Sequence, residues 1–185
     1  MHTTITPVKD KHWFRRPIGK DEVVWMSVAF VWCLIMFLMM PYWHFYGAQN
    51  NTGESYRVNA EEFADKAEAF AEKYTVRYET EFDIPVVHPP AGADIYMAAK
   101  LFDFGYILEL EKDQTYRFHL SSSDVNHGFS IQPINLNLQI VPGYDYVNTI
   151  TPDTVGEFYI ICNEYCGIGH HDMITKIYVI DKGGK

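Results

Sequence analysis

The chain has 185 residues, a length that allows one ordinary domain and a smaller appendage. Its formal charge of −9 is unevenly distributed along the chain. Residues 1–47 hold five basic and three acidic side chains, a net charge of +2. Residues 48–185 hold ten basic and 21 acidic side chains, a net charge of −11. An acidic domain repels nucleic acid and attracts basic proteins, so this balance argues against nucleic-acid binding and favours a basic protein partner.

An uncharged stretch runs from Val23 to Trp43, about as long as the ~20 residues that a helix needs to cross a bilayer core. It predicts an uncleaved membrane anchor. A buried core helix and a cleaved signal peptide are the alternatives, but a signal peptide has a shorter apolar region and a clearer small-residue cleavage site. Because basic side chains precede the span and acidic ones follow it, residues 1–22 are predicted to be cytoplasmic, with the larger domain on the outer, periplasmic side of the inner membrane.

Residues 44–91 are predicted to be a linker that contains one short amphipathic helix. Alanine and phenylalanine side chains share one face of residues 59–73 at helical spacing, and Asn59 is a suitable N-cap. The pattern offers no convergent polar groups, so packing of Phe63 and Phe70 is favoured over a ligand role.

Residues 92–185 are predicted to form a β domain, because short runs rich in aromatic and β-branched residues alternate there with Gly, Pro and Asp turns. Strands are predicted near 93–99, 105–111, 114–121, 127–132, 136–141, 145–151, 156–162 and 174–181. The alternation in residues 115–120 places Arg117 and His119 on a solvent-exposed face of the sheet.

The C-terminal part of the chain holds a dense group of soft and borderline metal ligands. These residues are His127, Cys162, Glu164, Cys166, His170 and Met173. Two thiolates, two imidazoles and a thioether suit copper, and the cysteines are close enough in sequence to bridge a pair of ions. Gly167 and Gly169 give the connecting loop the freedom to fold around a metal.

Three other uses of the cysteines compete with this prediction. A disulfide, common in an oxidising compartment, would close a small strained loop and leave the histidines and Met173 unexplained. A structural zinc site gains little from Met173. A mononuclear copper site leaves one cysteine surplus. A two-copper site that adds one backbone carbonyl uses every residue of the group.

The spacing C-x-E-x-C-x-x-x-H-x-x-M resembles the signature of subunit II of haem-copper respiratory oxidases, the copper-A protein. The resemblance covers the anchor and roughly residues 92–181, whereas residues 48–91 match no part of the family. It includes Phe-Asp-Phe-Gly-Tyr at 102–106, Ser-Asp-Val-Asn-His-Gly-Phe at 123–129, and the closing strand at 174–180. It implies a cupredoxin-like Greek-key β sandwich or barrel.

The same resemblance implies a ligand assignment. Cys162 and Cys166 would bridge both coppers, with His127 and Met173 on one ion, and His170 and the main-chain carbonyl of Glu164 on the other. The Glu164 carboxylate is also a candidate magnesium ligand, with a solvated loop carboxylate as an equal alternative.

The function implied is electron relay without catalysis by this chain, from cytochrome c or a similar small donor to haem in a multi-span catalytic subunit I. One alternative is the copper-A subunit of a nitric oxide reductase of the same superfamily. Another is a membrane-tethered copper carrier. Having one membrane span, the chain resembles the short form found in B-type oxidases. All four tryptophans precede residue 48, so electron acceptance would use Phe102, Phe104, Tyr106 or the loop around His170.

Several neighbours of the ligands also receive predictions. The family spacing selects His170 rather than His171 as the ligand. Asp124 is predicted to cap a turn, in preference to holding the second nitrogen of His127. Tyr165 and Ile168 are expected to bury the centre and exclude water.

Overall fold

The computed structural model describes residues 17–47, 53–79, 83–134 and 136–182. The chain divides into two compact units at the junction of residues 48 and 49. The N-terminal unit contains helix α1 (Lys20–Tyr46), and the second unit contains helix α2 and eleven strands within its described part.

Helix α1 contains the predicted span 23–43 and continues for about one turn at each end. Its N-cap is Gly19, whose backbone N–H donates to the Glu22 carboxylate at 2.9 Å. None of its side chains is buried, so its apolar surface has no cover within its own unit. Among the described residues it is the one helix long and apolar enough to cross a membrane. The predicted N-terminal apolar helix is confirmed.

The second unit is built from two β-sheets. Its elements are β1 (Glu54–Arg57), α2 (Ala60–Tyr74), β2 (Thr75–Glu79), β3 (Ile84–Val87), β4 (Asp94–Ala99), β5 (Ile107–Glu111), β6 (Tyr116–Ser122), β7 (His127–Gln132), β8 (Leu136–Ile140), β9 (Tyr144–Ile150), β10 (Gly156–Ile161) and β11 (Ile174–Ile180). The strand orders are β1-β9-β6-β4 and β2-β3-β5-β11-β10-β7-β8. The pairs β3–β5, β4–β6 and β5–β11 are parallel, and the other pairs are antiparallel. Apolar side chains between the sheets form one core.

The mainly β fold predicted from the sequence is confirmed. Each of the eight predicted strands is present, from β4 to β11, with ends that differ by at most two residues from the predicted ones. Strands β1, β2 and β3 were not predicted. They are short, and β1 and most of β2 are exposed on both faces, so they lack the alternation that marks a half-buried strand.

Helix α2 covers part of the first sheet, as its apolar face predicts. Phe63 and Phe70 are buried, and their ring centroids lie 6.0 and 6.2 Å from that of Tyr96 on β4. At the N-terminus, Asn59 Oδ1 accepts hydrogen bonds from the backbone N–H groups of Glu61 and Glu62. The predicted amphipathic helix and its cap are confirmed.

The prediction of a solvent-exposed His119 was wrong. Its side chain is buried, its Nδ1 lies 2.7 Å from Asp145 Oδ2, and its ring stacks on Tyr96 at 4.6 Å. Helix α2 packs against β4 and β6 and so covers the face that the alternation alone assigned to water. A side chain can thus be buried by an element that is distant from it in the sequence.

Candidate metal centre

Two segments of the second sheet supply the predicted ligands. His127 is the first residue of β7, which pairs with β10. Cys162 follows the last residue of β10 and Met173 precedes β11, so residues 162–173 form the loop that joins these two antiparallel neighbours. Within this ligand loop, His170 opens a short 3-10 turn. The ligand loop and the start of β7 therefore meet at one end of the sheet.

The donor atoms converge on the two sulfurs. The Sγ atoms of Cys162 and Cys166 are 3.9 Å apart. Cys162 Sγ lies 3.9 Å from His127 Nδ1 and 3.2 Å from the carbonyl oxygen of Glu164. Cys166 Sγ lies 3.7 Å from His170 Nδ1 and 3.8 Å from Met173 Sδ. Each sulfur thus has one nitrogen donor and one weaker donor beside it.

These separations fit a shared metal and exclude a disulfide in this conformation. Two donors at ~2.3 Å from a tetrahedral ion lie about 3.8 Å apart, which is close to the distances around both sulfurs. A disulfide bond needs sulfurs at about 2.05 Å, and Cys162 and Cys166 are free thiols. His127, Cys162 and Cys166 are the described His, Cys, Asp and Glu side chains that converge closely enough to hold one ion.

Asp124 orients the His127 imidazole. Because the carboxylate is an acceptor, His127 Nε2 donates to Asp124 Oδ1 at 2.8 Å, which leaves Nδ1 facing Cys162. Asp124 also accepts the backbone N–H groups of Leu101 and Val125, each at 2.6 Å. Burial raises the pKa of this carboxyl, but the hydrogen bonds from His127, Val125 and Leu101 outweigh it and lower the pKa overall. Asp124 therefore holds His127, the role that the sequence favoured less, and its carboxylate also accepts backbone N–H groups of nearby turns.

The Cys166 thiol keeps its proton in the metal-free chain. Burial and the neighbouring Cys162 sulfur raise the pKa of Cys166 to about 11. A cation placed between the sulfurs would favour the thiolate by its own charge and would displace this proton.

Gly128 allows the two ligand segments to approach each other. A Cβ atom at this position would lie 2.0 Å from Asn163 Oδ1 and 2.7 Å from the backbone nitrogen of Glu164. The Gly128 N–H also donates to Cys162 Sγ at 3.4 Å. Sequence reasoning missed this residue, although its place directly after His127 was the available signal.

The structure corrects the predicted means of excluding water. Tyr165 and Ile168 are 76% and 91% exposed, so they do not bury the centre. The cover comes instead from the protein core, where Phe104 and Phe129 belong to the same apolar cluster as Cys162 and Met173. Those two rings pack edge to face with centroids 6.0 Å apart.

The remaining candidate residues differ in their access to solvent. Phe104 and Tyr106 are buried, whereas Phe102 is 40% exposed, so Phe102 is the one of these three aromatic rings that reaches the surface. His171 is exposed and lies 3.2 Å from Asp172. The Glu164 side chain is exposed as well, and its role in binding magnesium stays a prediction.

Two β-sheets in this order, with Cys, His and Met donors gathered at one end, define a cupredoxin-like domain with a candidate soft-metal centre. The family model for the periplasmic domain of cytochrome c oxidase subunit II matches residues 69–180. The chain therefore belongs to the cytochrome c oxidase subunit II family. Since the match begins inside α2, residues 69–91 do have a counterpart in the family, contrary to the sequence-based expectation.

Individual relatives give the same result. Cytochrome c oxidase subunit 2 of Thermus thermophilus is 37% identical over 93 residues, which cover 49% of this chain and 67% of that one. A second sequence of this subunit from the same species is also 37% identical over 93 residues, which cover 54% of its length. Heme-copper oxidase subunit 2 of Aeropyrum pernix is 37% identical over 79 residues, 40% of this chain and 33% of that one. A chain in the cryo-EM structure of a heme-copper terminal oxidase dimer shares the fold, with a TM-score of 0.57 and 19% identity over 87% of this chain and all of that one.

Proposed function

We propose that this chain is the electron-transfer subunit of a terminal respiratory oxidase and binds two copper ions as a copper-A centre. The observation that carries the proposal is the pairing of donors around the two sulfurs. Cys162 lies beside His127 and the Glu164 carbonyl, and Cys166 lies beside His170 and Met173.

The donor chemistry fits this group. The two sulfurs lie close together, so both thiolates are positioned to bridge two ions. The family signature assigns His127 and Met173 to one copper and His170 and the Glu164 carbonyl to the other. Each sulfur lies beside one donor of each of these pairs. Bound there, the copper pair would supply one-electron redox chemistry shared between two ions.

The protein residues keep the site rigid and dry around that chemistry. Asp124 fixes the tautomer and orientation of His127, and the Gly128 N–H supports the charge on the Cys162 sulfur. His127 and Met173 are fully buried, so water has little access to that side of the centre. A rigid donor set needs little rearrangement when an electron arrives or leaves.

We place the chain in the inner membrane by α1, with residues 1–22 in the cytoplasm and residues 23–43 as the span. Residues 92–185 would be the copper-A domain on the periplasmic side, and the segment 44–91, predicted as a linker, would add β1, α2, β2 and β3 to that domain. The positive balance before the span and the negative balance after it support this orientation.

The proposed donor is cytochrome c or a similar small basic protein, which suits the acidic domain. The proposed acceptor is haem in a membrane-embedded catalytic subunit I, and the names of the related oxidase subunits support this assembly. Oxygen chemistry would then belong to that subunit, while this chain relays electrons.

Copper stoichiometry tests the proposal. The full chain, purified in detergent and loaded with copper, should hold two ions per chain and give an EPR spectrum of one unpaired electron shared by two copper nuclei. One copper per chain with a mononuclear blue-copper spectrum would overturn it.

Removal of a bridging sulfur gives a sharper form of this test. Cys166→Ser should abolish the two-copper spectrum, because a single thiolate cannot bridge twice. Cys33→Ser, in α1, is the matched control and should leave copper content unchanged. A two-copper spectrum that survives in Cys166→Ser would contradict the bridging role of this residue.

A further inference from the structure

A tight turn at residues 100–103 lies beside the metal centre. The backbone N–H of Lys100 donates to the Asp103 carbonyl at 3.0 Å, and the Asp103 N–H donates to the Lys100 carbonyl at 2.9 Å. The Asp103 carboxylate accepts the Gly105 N–H at 2.7 Å and faces Lys100 Nζ at 3.6 Å. The turn is therefore held by its own hydrogen bonds and one ion pair.

Phe102 occupies an unfavourable position in this turn. Its φ angle of +68° lies in the left-handed region, which glycine adopts freely and bulky residues rarely adopt. A glycine would make the same turn with less backbone strain. A phenylalanine at this position therefore indicates that its ring makes a contact that offsets the backbone strain.

The Phe102 ring packs against the backbone of the ligand loop. A Cβ atom at Gly169 would lie 2.7 Å from Phe102 Cγ and Cδ2, and one at Gly167 would lie 3.3 Å from Cε1 and Cζ. The φ angle of Gly169 is −88°, which alanine also adopts. At Gly169, therefore, it is the Phe102 ring that leaves no room for a side chain.

The same turn is tied to the other ligand segment. The backbone N–H of Leu101 donates to Asp124 Oδ2 at 2.6 Å, and the second oxygen of this carboxylate accepts from His127 Nε2 at 2.8 Å. Residues 100–103 therefore contact the His127 segment through Asp124 and the ligand loop through Phe102.

We infer that residues 100–103 act as a clasp that holds the two ligand segments together, and that Phe102 is the positioning residue that closes the ligand loop. The strain at Phe102 persists because its ring fixes Gly167 and Gly169, and with them the positions of Cys166 and His170 on either side. The part of this inference that concerns copper retention rests on the proposed function.

Three variants test the clasp in the full chain. Phe102→Gly removes the ring and suits the backbone angle. Gly169→Ala keeps the ring but forces it off the loop. The double variant tests whether the two changes act through one contact. Ile168→Ala is the matched control, because it removes an exposed apolar side chain from the same loop without touching the clasp.

The first measurement is the rate of copper transfer from the loaded chain to a chelator. Phe102→Gly and Gly169→Ala should each release copper about tenfold faster, the effect typical of losing a support of a metal ligand. The double variant should be no faster than Phe102→Gly, because the space left by the ring accommodates the new methyl group. Additive effects, or unchanged rates, would overturn the clasp.

The second measurement needs no copper. In the metal-free chain, Cys162 and Cys166 should be alkylated faster in Phe102→Gly than in the unmodified chain. Peptide masses distinguish alkylation at these two cysteines from alkylation at Cys33. The unfolding midpoint should not fall, since glycine relieves the strained angle; a fall that accounts for the faster alkylation would reduce Phe102 to a general structural role.

The two measurements separate this inference from the proposed function. If the unmodified chain holds one copper but Phe102→Gly still exposes the thiols, the clasp stands and the copper-A proposal fails. If the chain holds two coppers and neither rate changes in Phe102→Gly, the copper-A proposal stands and the clasp fails.

Discussion

At the scale of single residues, Asp124 joins parts of the site that are distant in the sequence. Its carboxylate binds the imidazole of His127 and the backbone of Leu101, which lies in the turn that packs on the ligand loop. The donor residues themselves follow from their spacing in the sequence. The role of Asp124 toward His127 was only the less favoured alternative in the sequence, and the roles of Gly128 and Phe102 were not predicted, because each depends on a segment that folding alone brings near.

Asp124→Asn should weaken copper binding by about 10- to 100-fold, because an amide lacks the charge that holds His127 in its ligand orientation. Competition with a chelator of known affinity measures this effect. The control is Asp113→Asn, the same substitution at an exposed turn. Asp113 lies before the start of β6, whereas Asp124 lies after the end of β6. Equal affinities for the two variants would show that the carboxylate does not support the ligand.

Tyr106 gives a prediction for alkaline stability. Its buried hydroxyl donates to the Tyr96 carbonyl at 2.6 Å, and burial raises the pKa of Tyr106 well above its usual value. The folded chain thus favours the neutral phenol, so this contribution is complete below about pH 10 and is lost as the pH rises further.

Tyr106→Phe should therefore lower the free energy of unfolding by about 1 kcal/mol at neutral pH, through loss of the hydrogen bond. Above about pH 10 the gap between the variant and the unmodified chain should narrow, because phenylalanine has no proton to lose. Urea unfolding of both chains, at neutral pH and above about pH 10, measures this difference in the free energy of unfolding. A gap that widens with pH would contradict this account.

At the scale of elements, the predicted strands were found because half-buried strands leave an alternating pattern in the sequence. The short edge strands β1 and β2 leave no such pattern, since their side chains are largely exposed. The burial of His119 was hidden for a different reason: the cover is α2, an element whose docking site no local pattern specifies.

The stability of α2 should depend on its N-cap. Asn59→Ala removes the acceptor of the Glu61 and Glu62 backbone N–H groups and should lower the free energy of unfolding by about 1 kcal/mol. Asn59→Asp retains an acceptor and serves as the control. Copper content should be the same in both variants, and a loss of copper in Asn59→Ala alone would show that α2 supports the centre.

At the scale of the whole molecule, charge and exposed apolar side chains would have separate roles in binding the proposed donor. Residues 48–185 have a balance of −11, which attracts a basic protein over a distance. The loops at the centre add exposed apolar side chains of Leu101, Phe102, Val125, Tyr165 and Ile168, which lie among charged ones such as Asp103 and Asp172.

The rate at which a basic cytochrome c reduces the copper-loaded chain should therefore fall as ionic strength rises, most steeply at low salt, where screening is weakest. Stopped-flow measurement over a salt series tests this, with a small uncharged reductant as the control whose rate should stay constant. A rate for cytochrome c that does not depend on salt would leave the apolar loops as the main determinant of association.

The parallel pairing of β5 with β11 makes the ligand loop depend on a contact between distant parts of the sequence. Strand β11 is the last described element, and it joins β5, which lies far earlier in the sequence, to β10. Pairing of strands so distant in sequence is slow to form, because closing the long intervening loop costs entropy. Since β10 and β11 border the ligand loop, the donors take their positions only when both strands are paired in the sheet, so the proposed copper pair would enter after that step and would need both thiols still reduced.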